Sequence, residues 1–497
     1  MSAILAQIRF WAERTPSAPA LATPDRRLGY ADLWQRVQQL SQRLAAVKPA
    51  QIAILMDNGP EWVIIQLAAL QAGIAVTPIP PFFSAAQQRH ALDQSGCTLL
   101  FCDRASPAPG LAAGFSAAPQ LHPLALRREF GAVELPAGTR LVTFTSGSTG
   151  SPKGVCLGGE LLDQVCHALF LRVNRAGVRR HACLLPLAIL LENLAGVWLP
   201  LYAGGCCLLA GGEATGLHGS SGLDLQQLGH FLHQQQPESL ILTPELLKAL
   251  IYLRSSGLVC AQFKLLAVGG ARVPATLLRQ AQRFGLPVVE GYGLSECGSV
   301  VALNTPGAAA AGCGRPLEHC RVQIATDGEV LVEGPALLGY LGDPEPRAPG
   351  PRLIHTGDLG YLDEHGHLHI QGRVKNLYIN SFGRNYSPEW IEAEFGALAQ
   401  IQQLCLFGDE RPFNVAVLLP RPGVDAAELA AAIARVNLTL PDYARLTRWI
   451  LAEQPFSAAN GQLTGNGRIR RPAIGACYAA QIEHCYQSEE TLPHAVL

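Results

Sequence analysis

Short, wholly apolar runs separated by helical patterns constrain this chain more than any other feature. Residues 51–56 (QIAILM) have the length and composition of a buried strand, residues 61–72 carry helical periodicity, and residues 74–78 return to a strand pattern. Strand, helix, strand with no polar alternation is the signature of a parallel sheet covered on both faces. Residues 240–243, 263–268 and 286–289 repeat it. From about residue 313 the texture changes. Runs at 321–325, 329–333 and 367–371 alternate and are punctuated by Asp-Gly, Glu-Gly-Pro and His-Gly, which predicts a small antiparallel sheet. After about residue 374 a helix is expected over 387–395, strands over 403–407 and 415–419, and an Ala-rich helix over 426–436. The expected fold is therefore α/β, with a large N-terminal domain (1–373) of α/β subdomains plus a small antiparallel β region, followed by a small α+β domain (374–497). No internal repeat is evident, and residues 211–222 read as a mobile loop.

Composition narrows the function classes. Of 497 residues, 48% are hydrophobic and 15% charged, which supplies a core and excludes a disordered chain. The 38 basic and 39 acidic side chains nearly cancel, which argues against nucleic acid or an anionic membrane as partner. Fourteen cysteines show neither a CxxC pair nor zinc-finger spacing, and read as buried thiols in a reducing, cytoplasmic setting. The N-terminal stretch carries Arg9, Glu13 and Arg14 and reads as an amphipathic helix, not a signal peptide. The most apolar stretch, 182–210, would have to bury Glu192 in lipid, so an interior segment is expected and no transmembrane span.

The sharpest segment is 141–157, LVTFTSGSTGSPKGVCL. An apolar strand runs into Thr145, Ser146, Gly147, Ser148, Thr149 and Gly150, with Lys153 shortly after. Glycines let backbone N–H groups approach an anion, hydroxyls add donors, and the lysine adds a point charge. Such a loop suits a polyphosphate; read on composition alone, it is equally a flexible Ser/Gly turn. It is not a Walker A loop, because GxxxxGK[ST] is absent.

TSGSTGSPKG resembles the phosphate-binding loop of the adenylate-forming superfamily, which includes acyl-CoA synthetases, luciferase and nonribosomal peptide adenylation domains, and companion motifs follow in the family's order across nearly the whole chain. YGLSE at 292–296 resembles YGxTE, with Ser295 in place of Thr. The resemblance implies that Tyr292 and Gly293 lie at the adenine, that Ser295 contacts the α-phosphate and that Glu296 helps hold Mg²⁺. Gly269, Gly270 and Ala271 resemble the backbone strip on the other side of adenine. Thr356-Gly357-Asp358 resembles the TGD motif, so Asp358 would accept from both ribose hydroxyls, with Arg373 as a second ribose contact. Lys375 matches the hinge before the family's mobile C-terminal domain; its plainer reading is an exposed linker lysine.

Four stretches are similar to long-chain fatty acyl-CoA synthetases. LLPLAILLENLAGVWLPLYAGG resembles the LPLxHxxE segment, with Glu192 at the acidic position and Ile189 in place of His. The others are GRVKNLYINSFGRNYSPEWIE, FGDERPFNVAVLLP and PFSAANGQLTGNGRIRRPAI. No Asp stands near 184–193 to meet a substrate ammonium, which favours an apolar acid over an amino acid. Plain core packing remains the competing reading of 184–201. The resemblance thus implies an enzyme that uses ATP and Mg²⁺ to convert a fatty carboxylate to acyl-AMP and passes the acyl group to the pantetheine thiol of CoA or of an acyl carrier protein.

Two departures bear on this. The family's catalytic lysine in the last motif is matched here by Arg468, in a chain with 5 Lys and 33 Arg. A planar guanidinium does not substitute for a compact ammonium without rearrangement. The expected catalytic set is therefore Lys153, Glu296 and Arg468. Phe382 stands where many relatives have Gly, in the loop that resembles the one beside the pantetheine channel. Two other classes stay open: an adenylating ligase with an amine acceptor, and a degenerate acyl-nucleotide binding protein. His365, His367 and His369 alternate and are expected on a solvated strand face rather than on a metal; His355, next to Thr356, is expected near the nucleotide.

Overall fold

The computed structural model describes residues 2–103, 107, 110–111, 114–128, 133–145, 152–219, 222–308, 311–343, 350–376, 378–382, 384–464, 467–487 and 495–496. Five of the phosphate-loop residues named above, Ser146, Gly147, Ser148, Thr149 and Gly150, lie outside them, as does the side chain of Lys375.

Among the described residues, two large mixed sheets, of nine and eight strands, form the body of a large α/β domain, and a C-terminal domain follows. In the first sheet Cys206–Leu209, Arg180–Cys183, Ser239–Leu242, Leu265–Val268 and Val288–Tyr292 lie side by side and run parallel. Their C-terminal ends share one rim, the place where open parallel sheets bind ligands. In the second, Gln51–Leu55 is flanked in parallel by Ala75–Pro78 and Leu99–Cys102. Helix Pro60–Gln71 is buried at every position from 62 to 69, as expected of a helix apolar on all sides.

The phosphate-loop segment joins Thr139–Thr145 to Lys153–Gly158, and these strands pair antiparallel with Thr145 opposite Lys153. The loop is thus a hairpin connection. The predicted antiparallel region is a four-stranded sheet of Arg321–Ile324, Glu329–Pro335, Pro351–Leu362 and Leu368–Arg373. Its register sets Asp358 opposite Arg373.

The C-terminal domain pairs Ile401–Phe407 antiparallel to Asn414–Pro420, with Leu446–Leu451 parallel on the other side. Helices Pro388–Gly396 and Ala426–Asn437 cover it. Pro388 at the first turn, with Ser387 accepting from the Trp390 N–H, starts the first of these.

Two expectations change. Within the expected mobile loop at 211–222, described residues form regular elements: Gly212–Thr215 is helical and Leu217–His218 pairs with Gly222–Leu223, with Asp57 Oδ2 accepting from the Gly212 N–H at 3.0 Å. The histidine trio is not one strand face, because the strand begins at Leu368. His365 and His367 sit in the preceding turn, where Asp363 accepts from both their backbone N–H groups. The same carboxylate lies 3.1 Å from His367 Nδ1 and 3.1 Å from His369 Nε2, which explains the cluster without a metal.

The apolar 182–210 stretch is interior, as its composition requires, and among the described residues no helix is long and apolar enough to cross a membrane. All fourteen cysteines are unbridged.

Candidate active site

Three of the motif segments converge on Asp358. Tyr292, at the end of strand Val288–Tyr292, donates its hydroxyl to Asp358 Oδ2 at 2.6 Å. Arg373, directly across the antiparallel ladder, brings Nε to 2.7 Å from Oδ1. The Asp358 N–H is held by Thr356 Oγ1 at 3.0 Å, and that hydroxyl donates to the Val330 carbonyl at 2.7 Å. Burial raises the Asp358 pKa, with Tyr292 and Arg373 pulling it down. Burial, and then the Asp358 charge, push the Tyr292 phenol up. A carboxylate offers about four lone-pair sites, so with one bond on each oxygen it retains acceptor capacity for a vicinal diol.

The strip that the motif assigns to adenine lies at the end of a parallel strand. Gly269 and Gly270 follow strand Leu265–Val268 on the ligand rim. Gly270 has φ +79°, a conformation glycine adopts without strain, and a Cβ there would meet nothing within 4 Å. Ala271 is exposed next to it. Gly293 is required for a different reason: a Cβ there would run into the Ser299 backbone. Ser295 and Glu296 lie in the one-turn helix Ser295–Cys297.

A second group gathers around Tyr340, which sequence reasoning missed. Strand Gly339–Tyr340 pairs with Lys153–Gly158. This places the ring 5.9 Å from Lys153 Nζ, and the Tyr340 hydroxyl donates to Glu296 Oε1 at 3.0 Å. Tyr340 therefore links the phosphate-loop lysine to the carboxylate expected to hold Mg²⁺. A lone Gly-Tyr after an apolar run carries no sequence signal for that role. Thr145 closes the hairpin beside Lys153, donating weakly to its carbonyl at 3.4 Å.

Arg468 comes from the C-terminal domain, within electrostatic reach of both Arg373 and Asp358. Although the side chain keeps an exposed face, desolvation, and then Arg373, lower its pKa, while Asp358 acts the other way. Lys375 lies in the single turn Val374–Asn376 between the two domains. His355 Nδ1 pairs with Glu329 Oε2 at 2.7 Å, and Glu329 Oε1 accepts from the Gly357 N–H at 2.8 Å.

Glu192 proves to be wholly buried, at the start of a π-helical segment, Glu192–Trp198. Its Oε1 lies 3.1 Å from His181 Nε2, and His181 Nδ1 lies 2.8 Å from Ser239 Oγ. Oε2 accepts from the Leu185 N–H at 3.4 Å. Burial raises the Glu192 pKa and His181 opposes that shift. With Cys183, these are the described residues that could gather a metal ion. Their polar atoms are already paired with one another, with Ser239 and with backbone, Cys183 donating to the Gly196 carbonyl at 3.4 Å. Asn58, also missed, clamps the next stretch. Its Nδ2 donates to the Leu185 carbonyl and its Oδ1 accepts from the Leu187 N–H, both at 2.9 Å.

Comparison with known proteins gives the family and fold. The family model described as AMP-binding enzyme matches residues 8–341, and that for the AMP-binding enzyme C-terminal domain matches 376–490. A feruloyl-CoA synthase of Amycolatopsis sp is 29% identical over 459 residues, spanning 84% of this chain and 89% of its own. The long-chain-fatty-acid–CoA ligase FadD15 of Mycobacterium bovis is 26% identical over 537 residues, spanning 88% of each. The O-succinylbenzoate coenzyme A synthetase of Bacillus subtilis, solved in complex with AMP, superposes with TM-score 0.73 at 21% identity over 100% of both chains. Motifs, fold and family models point the same way: this chain belongs to the AMP-binding enzyme family.

Proposed function

We propose that the protein is an AMP-forming acyl-CoA ligase that activates an apolar carboxylic acid. The observation that carries this reading is the convergence of Tyr292 and Arg373 on Asp358, with Arg468 in electrostatic reach, on the same strand-and-loop region as the Gly269–Ala271 strip and Glu296, which Tyr340 links to Lys153. In the first step a carboxylate oxygen of the acid attacks the α-phosphorus of ATP. The new O–P bond forms as the α–β bridge breaks and pyrophosphate leaves. In the second, the sulfur of the pantetheine thiol attacks the acyl carbon, the bond to AMP breaks, and the thiol proton passes to solvent.

The residues act by position and charge, which is what phosphoryl transfer requires. Asp358 takes the ribose hydroxyls, kept in place by Tyr292 and Arg373. Lys153, with Thr145 and the loop residues 146–150, holds the polyphosphate. Ser295 and Arg468 meet the α-phosphate. Glu296 would hold Mg²⁺, since one carboxylate plus phosphate oxygens is a ligand set this ion accepts. When bound, the ion neutralises charge on the departing pyrophosphate. Division of the chain into 1–373 and a mobile 374–497, with Lys375 at the hinge, is part of the same proposal.

An apolar acyl group is supported by the wall that follows strand Arg180–Cys183. Leu184, Leu187, Ala188 and Leu190 are buried there, and Asn58 and Glu192 satisfy the backbone polar groups of that stretch. The named relatives are a feruloyl-CoA synthase and a long-chain-fatty-acid–CoA ligase, so their names agree on the CoA-ligase chemistry and differ on the acid. Fourteen unbridged thiols fit a reducing, cytoplasmic setting.

Mass spectrometry tests the reading. Purified protein, ATP and Mg²⁺ are mixed with fatty acids from C2 to C18 and with aryl acids, with and without CoA. An acyl-AMP peak from an apolar acid that converts to acyl-CoA is the expected result. Acyl-AMP that persists with CoA moves the acceptor to a carrier protein or an amine. AMP binding without any acyl-AMP overturns the reading in favour of an acyl-nucleotide binding protein.

A further inference from the structure

Arg272 and Lys248 belong to none of the site motifs, yet with Trp390 they join the two domains beside the site. Arg272 directly follows the Gly269–Ala271 strip. Its Nη1 donates to the carbonyls of Ile370 (3.2 Å) and Gln371 (3.1 Å), on the strand that ends at Arg373. Its guanidinium lies 5.9 Å from the ring centroid of Trp390, in helix Pro388–Gly396 of the C-terminal domain. Burial lowers its pKa, against which Glu394 and Glu389 of that helix, and Glu290 of strand Val288–Tyr292, favour its charge. At the other end of the helix, Lys248 Nζ donates to the Gly396 carbonyl at 2.6 Å while Glu245 holds it at 2.8 Å. That carbonyl is one of the unpaired groups of a helix C-terminus, where the macrodipole favours a cation. The helix is therefore gripped at both ends by the large domain.

The same helix is tied to the segment that carries Arg468. Arg471 Nη2 donates to Glu392 Oε1 at 2.6 Å, and its Nε to the Leu406 carbonyl at 3.1 Å. A continuous set of contacts thus runs from Arg272 and Lys248, through helix Pro388–Gly396 and the Glu392–Arg471 pair, to a point three residues from Arg468.

We propose that Arg272 and Lys248 are positioning residues: by clamping helix Pro388–Gly396 they hold the C-terminal domain in the orientation that keeps Arg468 beside Asp358 and Arg373. The activity arm of the test rests on the acyl-adenylate reading above; the conformational arm does not. Both use the full chain carrying Arg272→Ala, Lys248→Ala, or both. In the conformational arm, hydrogen exchange of residues 388–396 is expected to quicken about fivefold or more in the double variant, with strand Gln51–Leu55 unchanged. In the activity arm, acyl-AMP formation is expected to fall about threefold in each single variant and about tenfold in the double. Thioester formation from supplied acyl-AMP stays within about twofold of wild type. In an Arg468→Ala background the double substitution costs less than about twofold more, because the lost orientation serves Arg468. Unchanged exchange over 388–396 overturns the clamp. An undiminished tenfold loss in the Arg468→Ala background overturns the route through Arg468. A wild-type enzyme that makes no acyl-AMP defeats the acyl-ligase reading, and the exchange arm still decides the clamp.

Discussion

Asp358 at the proposed nucleotide end and Glu192 at the proposed acyl end are both buried carboxylates whose pKa burial raises, and the two are paired in opposite ways. Asp358 meets a phenol and a guanidinium that lie 66 residues before and 15 residues after it, each within 2.7 Å and each part of a short motif. Glu192 meets His181, which stands in no motif, across the floor of a parallel sheet. The first carboxylate keeps lone pairs facing the ligand rim. The second spends its capacity on His181 and on the Leu185 backbone. Of the two, therefore, only Asp358 is equipped to touch substrate. Glu192 fixes the chain that, in the proposed reading, forms the acyl wall.

The largest effects should fall on the nucleotide end. Arg468→Ala is expected to slow acyl-AMP formation by about 10²–10³ while leaving thioester formation from supplied acyl-AMP nearly unchanged, because a lost charged donor is felt where charge develops on the α-phosphate. Single-turnover assays of the two half-reactions check this. Equal slowing of both rejects the role. Arg468→Lys separates a compromise from an adaptation: a faster rate marks the arginine as a compromise, and an unchanged or slower one marks it as adapted. Asp358→Asn should follow, at about 10² in AMP affinity and adenylation rate, since it removes the charge that Arg373 pairs with and weakens two acceptor bonds. Equilibrium AMP binding reads it directly. A loss below about threefold would place the ribose elsewhere and remove the contrast with Glu192.

Legibility divides along the same line. The parallel strands were readable because they are buried on both faces: residues 51–56, 240–243 and 286–289 fall on observed strands to within about two residues. The antiparallel sheet was readable from its turn punctuation, and Asp358 and Arg373 were named before their register could be known. What escaped needed three-dimensional adjacency. Tyr340 reaches Glu296 only because strand Gly339–Tyr340 adds to the hairpin edge. His181 reaches Glu192 only because the segment after the strand folds back as a π-helix. Arg272 looked like an ordinary residue after the adenine strip. The 211–222 segment misled because glycines and polar residues read as irregular chain, while its one-turn helix and short strand pair are too small for any periodicity to reveal.

Glycine 196 probes the acyl end by packing. A Cβ there would collide with Glu192 Oε1 and approach His181 Nε2 to 2.9 Å. Because both partners are buried and bonded, neither has room to withdraw. Gly196→Ala should cost about 2–3 kcal/mol in urea unfolding, from overpacking and from a weakened buried pair. The companion readout is the acid preference, which should change more than AMP affinity. An AMP affinity that falls in step with stability would mean that the two ends are not separable.

Glu290 gives the smallest and sharpest contrast. It lies two residues before Tyr292, burial raises its pKa from 4.5 to about 7, and Arg272 and the thiol of Cys313 pull the other way. Where Glu192 faces His181, the side-chain partner of Glu290 is the Cys313 thiol, 3.8 Å from Oε1. A carboxyl whose pKa is higher folded than unfolded binds its proton more tightly in the native state, so its stabilising contribution is complete below about pH 4.5 and is lost as pH rises through about 7. The stability of wild type relative to Glu290→Gln should therefore decline by about 1–2 kcal/mol across that interval, after allowance for solvent screening at a half-buried group. The glutamine keeps an acceptor for Cys313 and removes only the titration. Urea unfolding of both proteins at pH 5, 6, 7 and 8 measures the difference. A flat difference would mean that Arg272 holds Glu290 ionised throughout; a difference that rises with pH would reverse the sign of its coupling to Arg272. Since Arg272 also carries the interdomain contact to Trp390, the decline near pH 7 would mark the range in which Glu290 joins Glu394 and Glu389 as a negative neighbour of that contact.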